Sequence, residues 1–144
     1  MIAIDTNVLL RYLLRDNKMQ AAKADKLING STPVLITDVV LAETLWTLKG
    51  KKYNLDKTAM INVLNSLFEE SSICFEDGQT VWRALNDYRQ AKPVRTGNKK
   101  KEADFSDALI VNKAKFYATE KGESLNGVYT FDRAAQLIPG TASP

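Results

Sequence analysis

Five carboxylates stand where strand-like apolar runs give way to helical patterns, or early in a helix. Asp5 follows Ile2-Ala3-Ile4, and Glu43 lies about a turn and a half into the helix after Val34-Leu35-Ile36. Asp104 and Asp107, three positions apart, open a later helix, and Asp132 follows Val128-Tyr129-Thr130-Phe131. Acids held close together repel one another and raise their own pKa values, a penalty that a divalent cation removes. Oxygen ligands without His or Cys favour Mg²⁺, with Mn²⁺ as the alternative, over zinc. Such an ion lowers the pKa of a bound water and clamps a phosphate, so metal-assisted phosphodiester hydrolysis is the chemistry this set can support. The chain has no histidine. That excludes a Ser-His-Asp triad, a histidine general base and the histidine-containing zinc sites.

Each acid also has a plainer reading. Asp5 can be a helix N-cap. Asp104 and Asp107 resemble a capping-box pair favoured by the helix dipole. Glu43 can pair with a Lys or Arg, and Asp132 can cap the short turn after it or pair with Arg133. Against these stands the common placement. In a parallel sheet, right-handed crossovers bring the strand C-termini to one edge, where ligands bind in open α/β folds. Glu43 also shares a helix stripe with Val39 and Trp46, and a carboxylate on an apolar face is costly unless paired or metal-bound.

The elements that must position these groups follow from periodicity. Short apolar runs predict strands over 1–4, 33–36, 73–75 and 128–131. Helical spacing predicts helices over 7–14, 18–28, 38–49, 57–68, 78–91 and 103–121, with Thr37 as an N-cap. The fifth of these helices carries Val81, Trp82, Leu85 and Tyr88 as its expected buried stripe. Residues 92–101, with Pro93, Gly97 and five basic side chains, are expected to form an exposed loop. Strands alternating with helices predict an α/β fold with a parallel sheet covered on both faces. No repeat or linker is visible, so residues 1–140 are read as one domain and 141–144 as a loose tail.

Composition bounds the rest. Of the 144 residues, 44% are hydrophobic and 26% charged, which is ordinary for a globular domain. A net charge of +3 permits a polyanionic partner without demanding one. No apolar run approaches the ~20 residues of a membrane span, and no signal peptide is visible ahead of the first strand. The single Cys74 is expected to be a core thiol, and with no disulfide possible within the chain a reducing cytoplasm is expected.

The residues also carry a family resemblance. Ile4-Asp5-Thr6-Asn7, Glu43 within Val39-Val40-Leu41-Ala42-Glu43, Ala103-Asp104-Phe105-Ser106-Asp107-Ala108-Leu109-Ile110 and Thr130-Phe131-Asp132 resemble the PIN domain. The likeness is strongest to the VapC-type toxins of prokaryotic toxin–antitoxin pairs. Residues 103–110 are its most specific piece. The resemblance implies a three-layer α/β/α sandwich with a mostly parallel four- to five-stranded sheet, and a Mg²⁺-dependent endoribonuclease using a metal-activated water. It implies Asp5, Glu43 and Asp107 as core acids, Asp132 as a fourth, and Asp104 as a further metal ligand or pocket-shaping acid. Thr6, Asn7 and Thr130 match supporting polar residues. A homodimer and a small inhibiting antitoxin are implied as well. Lys101-Glu102 stands where relatives often carry glycine, and the tail lacks their apolar final strand.

Arg95, Lys99, Lys100 and Lys101 are candidates for binding the RNA backbone, though a solvated loop explains them equally well. Tyr12, Trp46 and Trp82 can stack bases, yet helical spacing assigns the tryptophans to the core. Two rival functions remain open: a non-catalytic RNA- or protein-binding module of the same fold, and a phosphatase using Asp5 as nucleophile. The second is disfavoured because Asn7 stands where its usual motif has a second aspartate.

Overall fold

In a computed structural model all 144 residues are described, and they divide into two compact units, Met1–Gly78 and Gln79–Pro144. The first unit runs β1 (Ile2–Ala3), α1 (Thr6–Leu14), α2 (Lys18–Ile28), β2 (Val34–Ile36), α3 (Asp38–Lys49), α4 (Lys57–Glu69) and β3 (Ile73–Phe75). Its three strands pair in parallel in the order β1-β2-β3, with Ile2 opposite Val34 and Leu35 opposite Cys74. Each step along the sheet crosses through two helices in the same direction, so right-handed crossovers place all four on one face. There α1 packs on α2 and α3, and α3 on α4.

Local chemistry sets the boundaries. Asp5, Asn17 and Asp56 cap α1, α2 and α4 by accepting from the backbone N–H of Val8, Gln20 and Ala59. Thr37 caps α3 in the same way. Leu41, Leu45 and Leu48 fill the inward stripe of α3 and are fully buried. The tie of Arg15 to Asp25 through both guanidinium nitrogens, at 2.9 and 2.7 Å, joins the end of α1 to α2. Cys74 is half-buried, and its thiol donates to the Val34 carbonyl.

The second unit holds α5 (Gly78–Gln90, from its second residue on), β4 (Val94–Thr96), β5 (Lys99–Lys101), α6 (Phe105–Lys121), β6 (Val128–Tyr129), a 3-10 turn (Ala135–Leu137) and β7 (Thr141–Ala142). Tyr88 of α5 meets Phe105 of α6 edge to face at 6.0 Å. Buried Asn112 donates to Asp87 Oδ2 at 2.8 Å, which fixes α6 against α5.

The α/β class with mostly parallel strands is present, with five strands pairing in parallel, three in one unit and two in the other. Three local expectations differ. The segment 92–101 is not a loop but an antiparallel hairpin, β4–β5, turned at Gly97-Asn98 with Gly97 at φ 63°. Residues 141–142, expected in a loose tail, pair with β6 instead. Trp46 and Trp82, expected in the core, are 68% and 45% exposed, because the covered stripes of their helices are filled by Leu41, Leu45 and Leu48 in α3 and by Val81, Leu85 and Tyr88 in α5.

Candidate active site

In the first unit the residue that follows the acid after β1 is tied through its hydroxyl to the acid of α3. Ile4 is buried, and the extended backbone at Asp5 lets its Oδ1 accept from Val8 N–H at 3.0 Å. The next residue, Thr6, donates from Oγ1 to Glu43 Oε2 at 2.7 Å. Thr47 Oγ1 donates to the Glu43 carbonyl at 2.8 Å, one turn further along α3. Asp5, Asn7 and Glu43 are exposed and Thr6 is half-buried. Glu43 lies between Val39 and Trp46, which are 65% and 68% exposed. The apolar stripe anticipated around it is therefore a surface stripe, and the carboxylate on it stays hydrated.

The second unit carries the other acids. Asp104 and Asp107 form the capping box of α6, with Asp104 N–H donating to Asp107 Oδ2 at 2.7 Å. Both are half-buried. Asp132 is exposed, and its Oδ1 accepts from the N–H groups of Ala134 and Ala135 at 2.9 and 3.3 Å. Thr130 Oγ1 accepts from Asp132 N–H at 3.1 Å, and Gln136 donates to the Thr130 carbonyl at 2.8 Å. Gln136 is a supporting residue that sequence reasoning missed. Its link spans six positions of irregular chain, and no periodicity marks it.

The plainer readings hold in part. Asp5 and Asp132 do cap, and Asp104 with Asp107 does form a capping box. The ion-pair readings do not hold for Glu43 and Asp132. The ion pairs Arg11–Asp16 and Arg15–Asp25 engage other acids, and neither these two nor Asp5 has a cationic partner. Those pairs hold the Asp16 and Asp25 carboxyls below the usual carboxylate range, through the hydrogen bonds from Arg11 and Arg15. Burial, with the hydrogen bond to Glu70, pushes the Tyr12 phenol up to about 12.

Asp5, Glu43 and Asp132 share one arrangement. In each, one carboxylate oxygen accepts a hydrogen bond from the chain and the other is left without an intramolecular partner. Within neither unit do three or more acidic or thiol side chains stand close enough together to hold a metal ion. The available oxygens of Asp5, Glu43 and Asp132 have no cationic partner, and carboxylate oxygens are the donors that hard divalent ions take.

The β4–β5 hairpin is exposed, apart from half-buried Val94. Its register sets Arg95 opposite Lys100 and Thr96 opposite Lys99. Like charges directly opposite each other on a strand pair are destabilising.

The chain belongs to the PIN domain family, whose model matches residues 2–138. No curated protein matches it. Among solved structures it is similar to VapC20 of Mycobacterium tuberculosis, described as a Sarcin-Ricin loop cleaving toxin. The two share 14% identity over 98% of this chain and 97% of that one, with a TM-score of 0.40. No helix is long and apolar enough to cross a membrane.

Proposed function

We propose that this PIN-domain protein is a Mg²⁺-dependent endoribonuclease, the VapC-type toxin of a toxin–antitoxin pair, acting on RNA in the cytoplasm. The observation that carries the reading is the half-tethered state of Asp5, Glu43 and Asp132, each with one oxygen fixed and one available. A cap needs only the first oxygen, so capping alone leaves the unpaired Glu43 unexplained. Membership of the PIN family supports the same reaction class.

Asp5, Glu43, Asp107 and Asp132 are the proposed ligands of Mg²⁺ (Mn²⁺ as a substitute), with Asp104 as a further ligand or a group that shapes Asp107. The ion supplies neutralisation of the phosphodiester's charge and acidification of a water. This chain's own residues do the positioning. The Thr6 hydroxyl orients the Glu43 carboxylate, Thr47 ties the backbone beneath it, and Val8 N–H fixes Asp5. Asn7 is a polar neighbour for the phosphate. Thr130 and Gln136 brace the turn that carries Asp132. Arg95, Lys99, Lys100 and Lys101 contribute positive charge to the RNA backbone. The resemblance to VapC-type toxins supports a small antitoxin and a second copy of this chain as partners.

Mapping of 5′ ends on total cellular RNA, with Mg²⁺ and with EDTA, tests the reading. Discrete Mg²⁺-dependent ends that vanish in Asp5→Asn and Asp107→Asn are expected. RNA left intact by folded wild-type protein in Mg²⁺ would leave a non-catalytic module as the better account.

A further inference from the structure

Asparagine is followed directly by glycine twice in the chain, at Asn29-Gly30 and at Asn126-Gly127. This dipeptide carries its own chemistry. Glycine has no side chain to shield its backbone nitrogen, so that nitrogen can attack the side-chain amide before it. Asparagine is accordingly a thermolabile residue. How firmly the backbone is held decides whether the attack occurs.

The two sites are held differently. Asn29 is the C-cap of α2, with its N–H donating to the Asp25 carbonyl at 2.8 Å and its ψ at 7°. At that ψ the Gly30 nitrogen eclipses the Asn29 nitrogen, whereas ring closure needs it on the Cβ side. Gly30 is also seated against the end of α2, where a Cβ would meet the Lys26 carbonyl at 3.1 Å. Asn126 is exposed and Gly127 half-buried, in the irregular stretch between α6 and β6. Neither takes part in a hydrogen bond.

We propose that Asn126 is a self-modification site whose product loosens the strand leading to Asp132. Hydroxide takes the proton from the Gly127 nitrogen, which bonds to Asn126 Cγ. The bond from Cγ to the side-chain nitrogen breaks, and that nitrogen takes a proton from water and leaves as ammonia. Water then opens the five-membered imide. Opening at Cγ gives aspartate. Opening at the backbone carbonyl gives isoaspartate, in which the main chain runs through Cβ and Cγ. Water enters, ammonia leaves, and nothing is oxidised or reduced.

Isoaspartate lengthens the main chain by a carbon directly ahead of Gly127. The next residue, Val128, donates its N–H to the Gly140 carbonyl at 2.9 Å, and Thr130 N–H donates to the Ala142 carbonyl at 3.0 Å. β6 and β7 are two residues each, so few bonds resist the shift. Thr130 Oγ1 in turn accepts from Asp132 N–H. The conversion stands on the loop alone, and its effect on cleavage rests on the endoribonuclease reading.

The full chain is incubated in mildly alkaline buffer beside a synthetic peptide of residues 122–133, which serves as the clock, and is then digested with trypsin. The tryptic peptides 27–49 and 122–133 report the two asparagines by mass and by isoaspartyl methyltransferase labelling, with unincubated protein as the zero. When the synthetic peptide is half converted, Asn126 of the folded chain is expected to be converted to a comparable extent and Asn29 to be intact. An intact Asn126 at that point overturns the proposal. Equal conversion of Asn29 overturns the account of what selects between the two. Amide exchange of Val128 and Thr130 should quicken in the incubated wild type and not in Asn126→Gln, whose longer side chain cannot close the five-membered ring. Unchanged exchange in converted protein overturns the loosening of β6. RNA cleavage should fall in proportion to the isoaspartate fraction in wild type and persist in incubated Asn126→Gln, and equal loss in both overturns the link to Asp132. Fresh wild type that cuts no RNA overturns the endoribonuclease reading and leaves the mass and exchange results standing.

Discussion

Thr6 and Glu43 are 37 positions apart in the chain, and a single hydrogen bond of 2.7 Å from Thr6 Oγ1 to Glu43 Oε2 joins them. It ties the first turn of α1 to the middle of α3. On the proposal that Glu43 ligates Mg²⁺, a group that orients it in this way governs metal affinity or activity by about 10- to 100-fold. Thr6→Val, which keeps the shape and loses the donor, should therefore lower Mg²⁺ affinity and RNA cleavage by that order. Thr6→Ser should restore both. Isothermal titration with Mn²⁺, beside the cleavage assay, reads the two effects separately.

The proposed metal-binding role of Asp5 is separable from its role as a cap. As the N-cap of α1 it accepts from Val8 N–H, and asparagine caps as well as aspartate does. Asp5→Asn should thus keep the urea unfolding midpoint near that of wild type and abolish cleavage. Asp5→Ala should abolish cleavage and also lose about 1 kcal/mol of stability. Equal midpoints for the two variants would show that the cap contributes nothing.

The hairpin makes an opposing pair of demands. Arg95 faces Lys100 across β4 and β5, a repulsion that phosphates of the proposed RNA substrate would relieve. Lys100→Glu replaces the repulsion with attraction, so amide exchange in residues 94–101 should slow while RNA binding weakens. The slope of log affinity against log salt should fall by about 0.7 for each phosphate of a single strand that the variant no longer neutralises. Filter binding across a salt series measures the slope, and an unchanged slope would remove the hairpin from the RNA interface.

Tyr12 gives an alkaline signature. Its phenol, ordinarily at 10.0, is pushed up to about 12 by burial and by donating to Glu70. The neutral form is favoured in the folded chain. Its contribution is complete below pH ~10, where folded and unfolded chains are both protonated. It is lost between pH 10 and 12, as the unfolded chain gives up its proton first. Tyr12→Phe should flatten that part of the stability curve, as read by denaturation at successive pH values. At the acid end Asp16 and Asp25, held low by Arg11 and Arg15, lose their contribution as pH falls below the usual carboxylate range.

Gly140 carries φ +100°, and a Cβ built there would meet Val111 Cγ1 at 3.2 Å. The turn it makes sets β7 beside β6, since Val128 N–H donates to the Gly140 carbonyl. Gly140→Ala should destabilise the chain by more than ~1 kcal/mol. Thermal unfolding checks this, with Gly78→Ala, which meets nothing within 4 Å, as the control.

Most of the fold was legible because its signals are local. Apolar runs end at Asp5, Thr37 and Glu76, and helical spacing carries α1 to α6. The hairpin was legible as well, since Gly97-Asn98 between two runs of three is a two-residue turn signal, but the lysines of β5 masked it as a solvated stretch. The pairing of 141–142 with β6 and the bond from Thr6 to Glu43 depend on chain segments far apart, which spacing cannot register. Periodicity also detects that a helix has a stripe without saying which stripe is covered. Trp46 was misplaced for that reason, and Val39 with it.

A strand composed of three consecutive lysines, opposite an arginine, has a further consequence. Trypsin cuts after these side chains, and β5 is exposed along its whole length. Brief digestion of the bare protein should nick it there and leave a fragment of roughly 100 residues and a smaller C-terminal one. A bound nucleic acid would hide the same peptide bonds, so the rate of nicking becomes a footprint of whatever lies along the hairpin.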